Sequence, residues 1–300
     1  MTVTADSIRA GNPRAIARAA TLIENRQPGA EQLLRDLFPH TGRALVIGVT
    51  GAPGAGKSTV CDAMIRQLRA AGRTVGVIAV DPTSPYTGGA ILGDRIRMQD
   101  HHADEGVFIR SMATRGQLGG IAAATMDLAL LLDAAGRDVI FVETVGVGQD
   151  EVEIARLAGV TAVVLVPGMG DDVQAIKAGI MEIADVFIIN KSDQPGADRL
   201  EREIQAMLGL AHGVRQVPIV KTVAKDGTGI AEALAAIESV TPSKARQVEM
   251  WTGRLREMLR ARLLERYPAA LFGDAAEAVA RREKDPYSLV AEWLKSQSII

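Results

Sequence analysis

The sequence predicts a doubly wound α/β fold, a mostly parallel sheet with helices on both faces and helical extensions at either end. Apolar, β-branched runs alternate with helix-compatible stretches from Ala44 to Ser239, the pattern of repeated βαβ units with parallel strands and right-handed crossovers. The first run, Ala44 to Val49, leads straight into Gly51-Ala52-Pro53-Gly54-Ala55-Gly56-Lys57-Ser58, and that loop opens a helix from Lys57 to Ala71. Later runs end on Asp, Glu or Asn, at the carboxyl edge where ligands of such folds bind. The expected organisation is a helical extension over residues 1–42, a phosphate-loop domain over 43–240 and a helical arm over 241–300.

The elements follow in order. From Ser7 to about Leu37, apolar residues recur at three- and four-residue intervals, broken at Pro28-Gly29, which gives a helical lead-in packed on the main domain. Thr74 to Val80 is the second strand, ending in Asp81-Pro82. Pro82 to Gly89 is loop by composition, Ala90 to Gln99 helix, Val107 to Arg110 a short strand and Ile121 to Ala135 an apolar helix. Asp138 to Val142 is a strand closing on Glu143, and a helix runs from about Asp150 to Leu157. Thr161 to Val166 is a buried strand, and Asp171 or Asp172 caps the helix that follows to about Ile183. Val186 to Ile189 is a strand, Ala197 to Leu210 a helix, Val217 to Val220 the last strand and Gly229 to Ser239 the closing helix. Beyond Thr241-Pro242-Ser243, Trp251, Leu255, Met258, Leu259 and Leu263 form an apolar stripe on a charged helix, with shorter helices at Ala275 to Arg282 and Tyr287 to Lys295. Such a stripe suits a second subunit or an intramolecular flank equally well.

Bulk properties narrow the function. At 300 residues, 47% hydrophobic and 23% charged, the chain has ample material for a core. A net charge of −2 advertises no nucleic-acid or acidic-membrane partner, and 3% aromatic residues argue against a base-stacking platform. One cysteine, Cys61, allows no internal disulfide and suits a reducing compartment; on its helix it reads as a small core residue. The opening residues lack a signal-peptide pattern, and no apolar run approaches the ~20 residues that span a bilayer. The expected location is cytoplasmic.

The Gly51–Thr59 stretch is a phosphate-binding loop in its required setting. Glycines let backbone N–H groups turn inward around a β-phosphate, the Lys57 ammonium reaches β and γ oxygens, and the Ser58 hydroxyl ligates Mg²⁺. The helix adds the positive end of its dipole. Asn190-Lys191-Ser192-Asp193, at the end of a later strand, selects the base: the Asp193 carboxylate can accept from N1–H and the 2-amino group of guanine, whereas adenine offers no such pair of donors. The Lys191 stem can cover the base face. Thr222-Val223-Ala224 is placed to touch the base edge with backbone N–H groups, or is a plain strand-to-helix loop.

Mg²⁺ takes one or two carboxylates and keeps waters, and Asp81, Asp94 and Glu143 are the candidates beside Ser58. Glu143-Thr144-Val145-Gly146 puts a glycine where its N–H could meet the γ-phosphate, making this loop a switch. Gln149 could orient water, although the glycines beside it leave its position open and it is not assigned as the base. Arg110 and Arg115 are weak candidates for an internal arginine finger, with a surface role preferred for both. Slow intrinsic hydrolysis, helped by a partner, follows from that gap. His101-His102 with the distant Cys61 is not a metal-binding spacing.

These motifs resemble the MeaB/ArgK family (human MMAA-like) of GTPases, chaperones of adenosylcobalamin-dependent acyl-CoA mutases. The resemblance rests on Gly51 to Thr59, Val80 to Pro85, Thr87 to Arg95, Ser111 to Gly116, Glu143 to Gln149, Pro167 to Gly179 and Asn190 to Asp193. It covers about Ile16 to Ile237, and the tail is similar mainly in layout. It implies that Asp81, Asp94 and Glu143 surround Mg²⁺, and that the loop around Gly170 to Lys177, with Asp171, Asp172, Gln174 and Lys177, is an extra switch contacting the mutase. It further implies a homodimer built with the C-terminal arm. GTP binding and hydrolysis to GDP would gate adenosylcobalamin delivery to a methylmalonyl-CoA or isobutyryl-CoA mutase and removal of damaged cofactor, with the mutase accelerating hydrolysis. Two departures stand out: Asp150, where Ser is commoner, and Gly159, where an Asp is expected. The competing readings are an ATP-dependent kinase of a transport system, opposed by Asp193, and a nickel-type metallochaperone, which would need a Cys/His cluster that the sequence lacks.

Overall fold

The computed structural model describes residues 3–81, 101, 103–113, 120–144, 157–168, 183–210, 216–242 and 244–296. Within them seven strands, β1 (Leu45–Thr50), β2 (Val75–Asp81), β3 (Val107–Ala113), β4 (Val139–Glu143), β5 (Val160–Leu165), β6 (Val186–Ile189) and β7 (Ile219–Lys221), form one sheet in the order β3-β2-β4-β1-β5-β6-β7. Every pairing is parallel. Because β1 lies between β4 and β5, the chain winds outward in two directions from β1, and the ends of β1 and β4 lie side by side at the carboxyl edge.

Side chains alternate along each strand with period two and so serve two cores. Ile47, Val49, Val77, Phe141 and Val164 face one side, packed with α4 (Lys57–Ala70) and with Ile230, Ala233 and Ile237. The opposite side, Ile78, Val80, Met112, Ile140 and Val142, packs with Leu128, Leu131 and Leu132 of α5 (Gly120–Ala134) and with the N-terminal helices. Those helices are α1 (Ala5–Arg9), α2 (Pro13–Glu24) and α3 (Ala30–Leu37). The break between α1 and α2, which apolar spacing alone does not reveal, is set by Asn12 and Pro13: the Asn12 side chain accepts from the Arg14 and Ala15 amides at 3.0 Å, and Pro13 occupies the first helical turn. Beyond β5, α6 (Ala197–Leu210) covers Val163 and Phe187, and α7 (Ile230–Ser239) closes the sheet.

Three partly buried polar clamps tie the extensions to this sheet. The Asp133 carboxylate on α5 accepts the backbone amides of Gly42, Arg43 and Ala44 at 2.5, 3.2 and 3.1 Å, fixing the chain as it enters β1. Arg110 on β3 pairs with Glu24 on α2. The expected surface role of Arg110 is corrected here: its guanidinium is half-buried against the lead-in helices. Asp185, just before β6, accepts from the Thr161 amide at 2.7 Å and the Arg246 guanidinium at 2.6 Å.

The chain divides into two units, Met1–Gln247 and Val248–Ile300. The helix α8 (Lys244–Leu264) begins in the first; the second holds its remainder with α9 (Ala269–Ala280) and α10 (Pro286–Ser296). No residue of α8 is buried, and Leu255, Leu259 and Leu263 stand exposed. Within the second unit Trp293 packs edge-on against Phe272 and is tilted beside Tyr267. Among the described residues no helix is long and apolar enough to cross a membrane.

Candidate nucleotide site

The loop from Gly51 to Gly56 joins the tip of β1 to the first turn of α4. Gly51 has φ 138° and lies so close to β5 that a Cβ there would overlap the Val164 carbonyl oxygen. Gly56 has φ 89°, and a Cβ would meet the Asn190 amide nitrogen at 2.5 Å. Both glycines are therefore demanded by left-handed backbone and by close neighbours. Gly56 is also the N-cap of α4 and offers no side chain to its first amides, which suits an anion at that helix end. Lys57 lies back across the loop, its ammonium donating to the carbonyls of Gly51 at 2.8 Å and Ala52 at 3.2 Å. Pro53 and Gly54 form the exposed crown, Ala55 is buried beneath it, and Thr59 is exposed on the first turn.

Ser58 and Glu143 meet: the Ser58 hydroxyl donates to a Glu143 carboxylate oxygen at 2.6 Å, and both residues are 3% exposed. The strand order explains the meeting, since β4 lies directly beside β1, with Val49 opposite Glu143. Asp81 closes β2 two residues beyond the row in which Ala79 pairs with Glu143. The backbone thus ends two candidate carboxylate positions on adjacent strand tips.

Asn190 is the hub of the Asn-Lys-x-Asp corner. Its amide nitrogen donates to the Ala55 carbonyl at 3.0 Å, and its oxygen accepts from the Ala224 amide at 3.1 Å and the Thr222 hydroxyl at 3.3 Å. One buried side chain therefore joins the phosphate loop, the end of β6 and the loop after β7. Lys191 adopts φ 54°, a left-handed conformation uncommon outside glycine and asparagine, and its ammonium reaches the Gly54 carbonyl at 3.0 Å. Asp193 is exposed. The amides of Thr222, Val223 and Ala224 already have acceptors in the Ile189 carbonyl, the Thr228 carbonyl and Asn190. This stretch serves to lock Asn190, and a base contact from these amides would require exchanging those bonds.

Asp94, Gly146, Gln149, Asp171, Asp172, Gln174 and Lys177 lie outside the described residues, as do Arg115, His102, Asp150 and the Asp81 side chain. His101 is buried and bonded to Asp62 of α4 at 2.9 Å, a packing role in line with its spacing. Cys61 is buried in the core. Gly159 precedes β5 at the sheet's amino edge, beside Pro242 and the Val46 carbonyl, so this departure from the family pattern lies away from the phosphate loop.

A phosphate loop with a buried serine–glutamate contact lies beside the Asn-Lys-x-Asp corner, and comparison with known proteins decides what kind of enzyme carries this arrangement. The profile of the methylmalonyl-CoA mutase-associated GTPase MeaB matches residues 16–274. The chain belongs to the MeaB family of GTPases. A Pyrococcus abyssi protein with the GTPase designation is 47% identical over 97% of this chain and 94% of its own. GTPase ArgK of Escherichia coli is 48% identical over 62% of this chain and 57% of its own. A solved structure described as a LAO/AO transport system kinase superposes with a TM-score of 0.71 at 28% identity, covering 98% of this chain and 96% of that one. The MeaB-family chain is thus a P-loop GTPase built on an all-parallel α/β sheet.

Whether its residues fit Mg²⁺ can be judged from the donors. Ser58 and Glu143 supply hard oxygens in contact at the helix start, and Mg²⁺ needs no more than one or two carboxylates when phosphate and water complete its shell. Among the described residues no group of three or more His, Cys, Asp or Glu side chains is placed to hold a metal ion.

Proposed function

We propose that this MeaB-family GTPase is a chaperone of an adenosylcobalamin-dependent acyl-CoA mutase, methylmalonyl-CoA mutase or a relative such as isobutyryl-CoA mutase. Its GTP cycle would gate cofactor loading and the replacement of damaged cofactor. The observation that carries this reading is the match of the mutase-associated family profile across residues 16–274, most of the chain. In this reading the protein acts in the cytoplasm, and neither nucleic acid nor membrane is a partner.

Its chemistry would be divided among the candidate residues named above. Gly51 to Thr59 would hold the phosphates, with the Lys57 ammonium kept over the loop by two carbonyls. Asp193 would read guanine, with Lys191 over the base, Asn190 keeping the corner rigid and Thr222 to Ala224 supporting it. Ser58 and Glu143, joined by Asp81 and Asp94, would hold Mg²⁺, which neutralises charge developing on the β and γ oxygens. Gly146 and Gln149 would act on the γ-phosphate side, and Asp171, Asp172, Gln174 and Lys177 would form the mutase-facing switch. Residues 1–42 would act as a docked extension, 43–240 as the GTPase domain and 241–300 as a dimerisation arm. The exposed Leu255, Leu259 and Leu263 support the arm assignment, since a second copy would cover them.

The test is affinity capture from cell extract with protein loaded with a non-hydrolysable GTP analogue, followed by GTPase assays with the captured mutase. Retention of a cobalamin-dependent mutase that raises turnover is expected. Absence of any effect by candidate mutases, or equal turnover of ATP with appearance of a phosphorylated product, would overturn the proposal in favour of a transport-linked kinase.

A further inference from the structure

We infer that Thr50 and Thr144 form a hydroxyl pair that positions Glu143 against Ser58, making them positioning residues for the Mg²⁺ side of the GTPase site. The inference rests on the assignment of Ser58 and Glu143 to Mg²⁺. The Thr144 hydroxyl donates to the Thr50 hydroxyl at 3.1 Å, and the two residues are 2% and 1% exposed. Thr50 is the last residue of β1, directly before Gly51; Thr144 directly follows Glu143 at the end of β4. They stand side by side at the carboxyl ends of the two strands, Thr50 at the entrance to the phosphate loop.

The alternation of the sheet gives the pair its leverage. Val49 and Phe141 belong to the core on the α4 side, the same parity as Glu143, whereas Ile140 and Val142 belong to the opposite core, the same parity as Thr144. Glu143 therefore reaches Ser58 from one face of the strand tips while the threonines join the tips from the other. The backbone bond from the Thr144 amide to the Val49 carbonyl, at 3.1 Å, is the neighbouring ladder contact. Beyond it, the hydroxyl pair adds a side-chain contact between the ends of β1 and β4. A carboxylate that must meet a hydroxyl within 2.6 Å is sensitive to small splaying of its strand, and metal sites depend on supporting residues of this kind.

Valine matches threonine in shape but removes the hydroxyl, so the fold need not be lost. The experiment compares wild type with Thr144→Val, Thr50→Val, Thr144→Ser and the double valine variant. It reads the Mg²⁺ concentration that half-maximally slows release of a fluorescent GDP, the release rate in EDTA, and kcat at saturating Mg²⁺. Thr144→Val and Thr50→Val should each raise the half-saturating Mg²⁺ about five- to tenfold, the size of one buried hydrogen bond, with EDTA release within about twofold of wild type. Thr144→Ser should restore the wild-type value, and the double variant should be no worse than the stronger single one, because a single contact is lost. A folded Thr144→Val or Thr50→Val with wild-type Mg²⁺ dependence, failure of Ser to rescue, or two additive losses would overturn the inference. Ser58→Ala is the control for the underlying assignment. If it leaves Mg²⁺ dependence unchanged, the metal assignment itself fails, whereas a strong effect there with none from the threonines rejects the hydroxyl pair alone.

Discussion

Replacing Asn190 with alanine should destabilise the GTPase unit by about 3 kcal/mol. Asn190 is 3% exposed, and its side chain makes three hydrogen bonds, to the Ala55 carbonyl, the Ala224 amide and the Thr222 hydroxyl. A threonine hydroxyl can rotate toward another acceptor, but the Ala55 carbonyl and the Ala224 amide are fixed. Each buried group left without its partner costs about 1–3 kcal/mol, which gives about 2–6 kcal/mol for the pair before relaxation, and local adjustment brings this to the lower half of that range. Asn190→Asp keeps the acceptor for Ala224 but sets a carboxylate against the Ala55 carbonyl, so it should be no milder. Urea unfolding followed by far-UV circular dichroism is the appropriate assay, because both tryptophans, Trp251 and Trp293, lie in the second unit and report on the arm. A midpoint shift worth less than about 1 kcal/mol would refute the reasoning, reducing Asn190 to a surface reader of the ligand.

Three further outcomes follow from other contacts. Asp133→Ala removes the acceptor of the three amides of residues 42–44; because Gly42 and Arg43 are exposed and water can replace it there, urea titration should show a loss of only about 2–3 kcal/mol, while GDP affinity by calorimetry stays within about twofold of wild type. Gly51→Ala would press a methyl group into the Val164 carbonyl and demand a left-handed alanine; calorimetry should find GDP binding weakened at least about tenfold, and unchanged affinity would contradict the close approach of loop and β5. The Asp104 carboxyl is held below its usual range chiefly by hydrogen bonds from the Arg69 guanidinium and also by the Gly106 amide. A lowered folded value means that its contribution is complete above the unfolded pKa of about 4 and is lost as pH falls through the folded value. Asp104→Asn should therefore flatten the loss of thermal stability below about pH 4 relative to wild type.

The fold was legible where local pattern and tertiary demand coincide. β4, β5 and β6 are buried throughout and almost wholly apolar because parallel strands here are covered on both faces, so their runs stand out, and the glycines of the phosphate loop, Gly51, Gly54 and Gly56, announce a positive-φ backbone that few other residues adopt. β3 extends to Ala113, three residues past the expected Arg110, because Met112 packs into the second core while Ser111 and Arg110 disguise the run as polar. The roles of Arg110, Asp133 and Thr144 depend on partners 86, 89–91 and 94 residues away in sequence. No local spacing encodes such pairings. The Asn-Lys-x-Asp motif pointed to the base, yet Asn190 proves to be structural support for the whole corner, a role visible only once three loops converge.

The most direct test of the account is a comparison of GDP, XDP and ADP binding to the wild-type chain and to Asp193→Asn by calorimetry. The wild type should bind GDP at least about a hundredfold more tightly than ADP, and Asp193→Asn should lose GDP affinity while gaining XDP. Equal affinity of the wild-type chain for GDP and ADP, or an Asp193→Asn variant with unaltered nucleotide preference, would contradict the assignment of this corner as the reader of guanine.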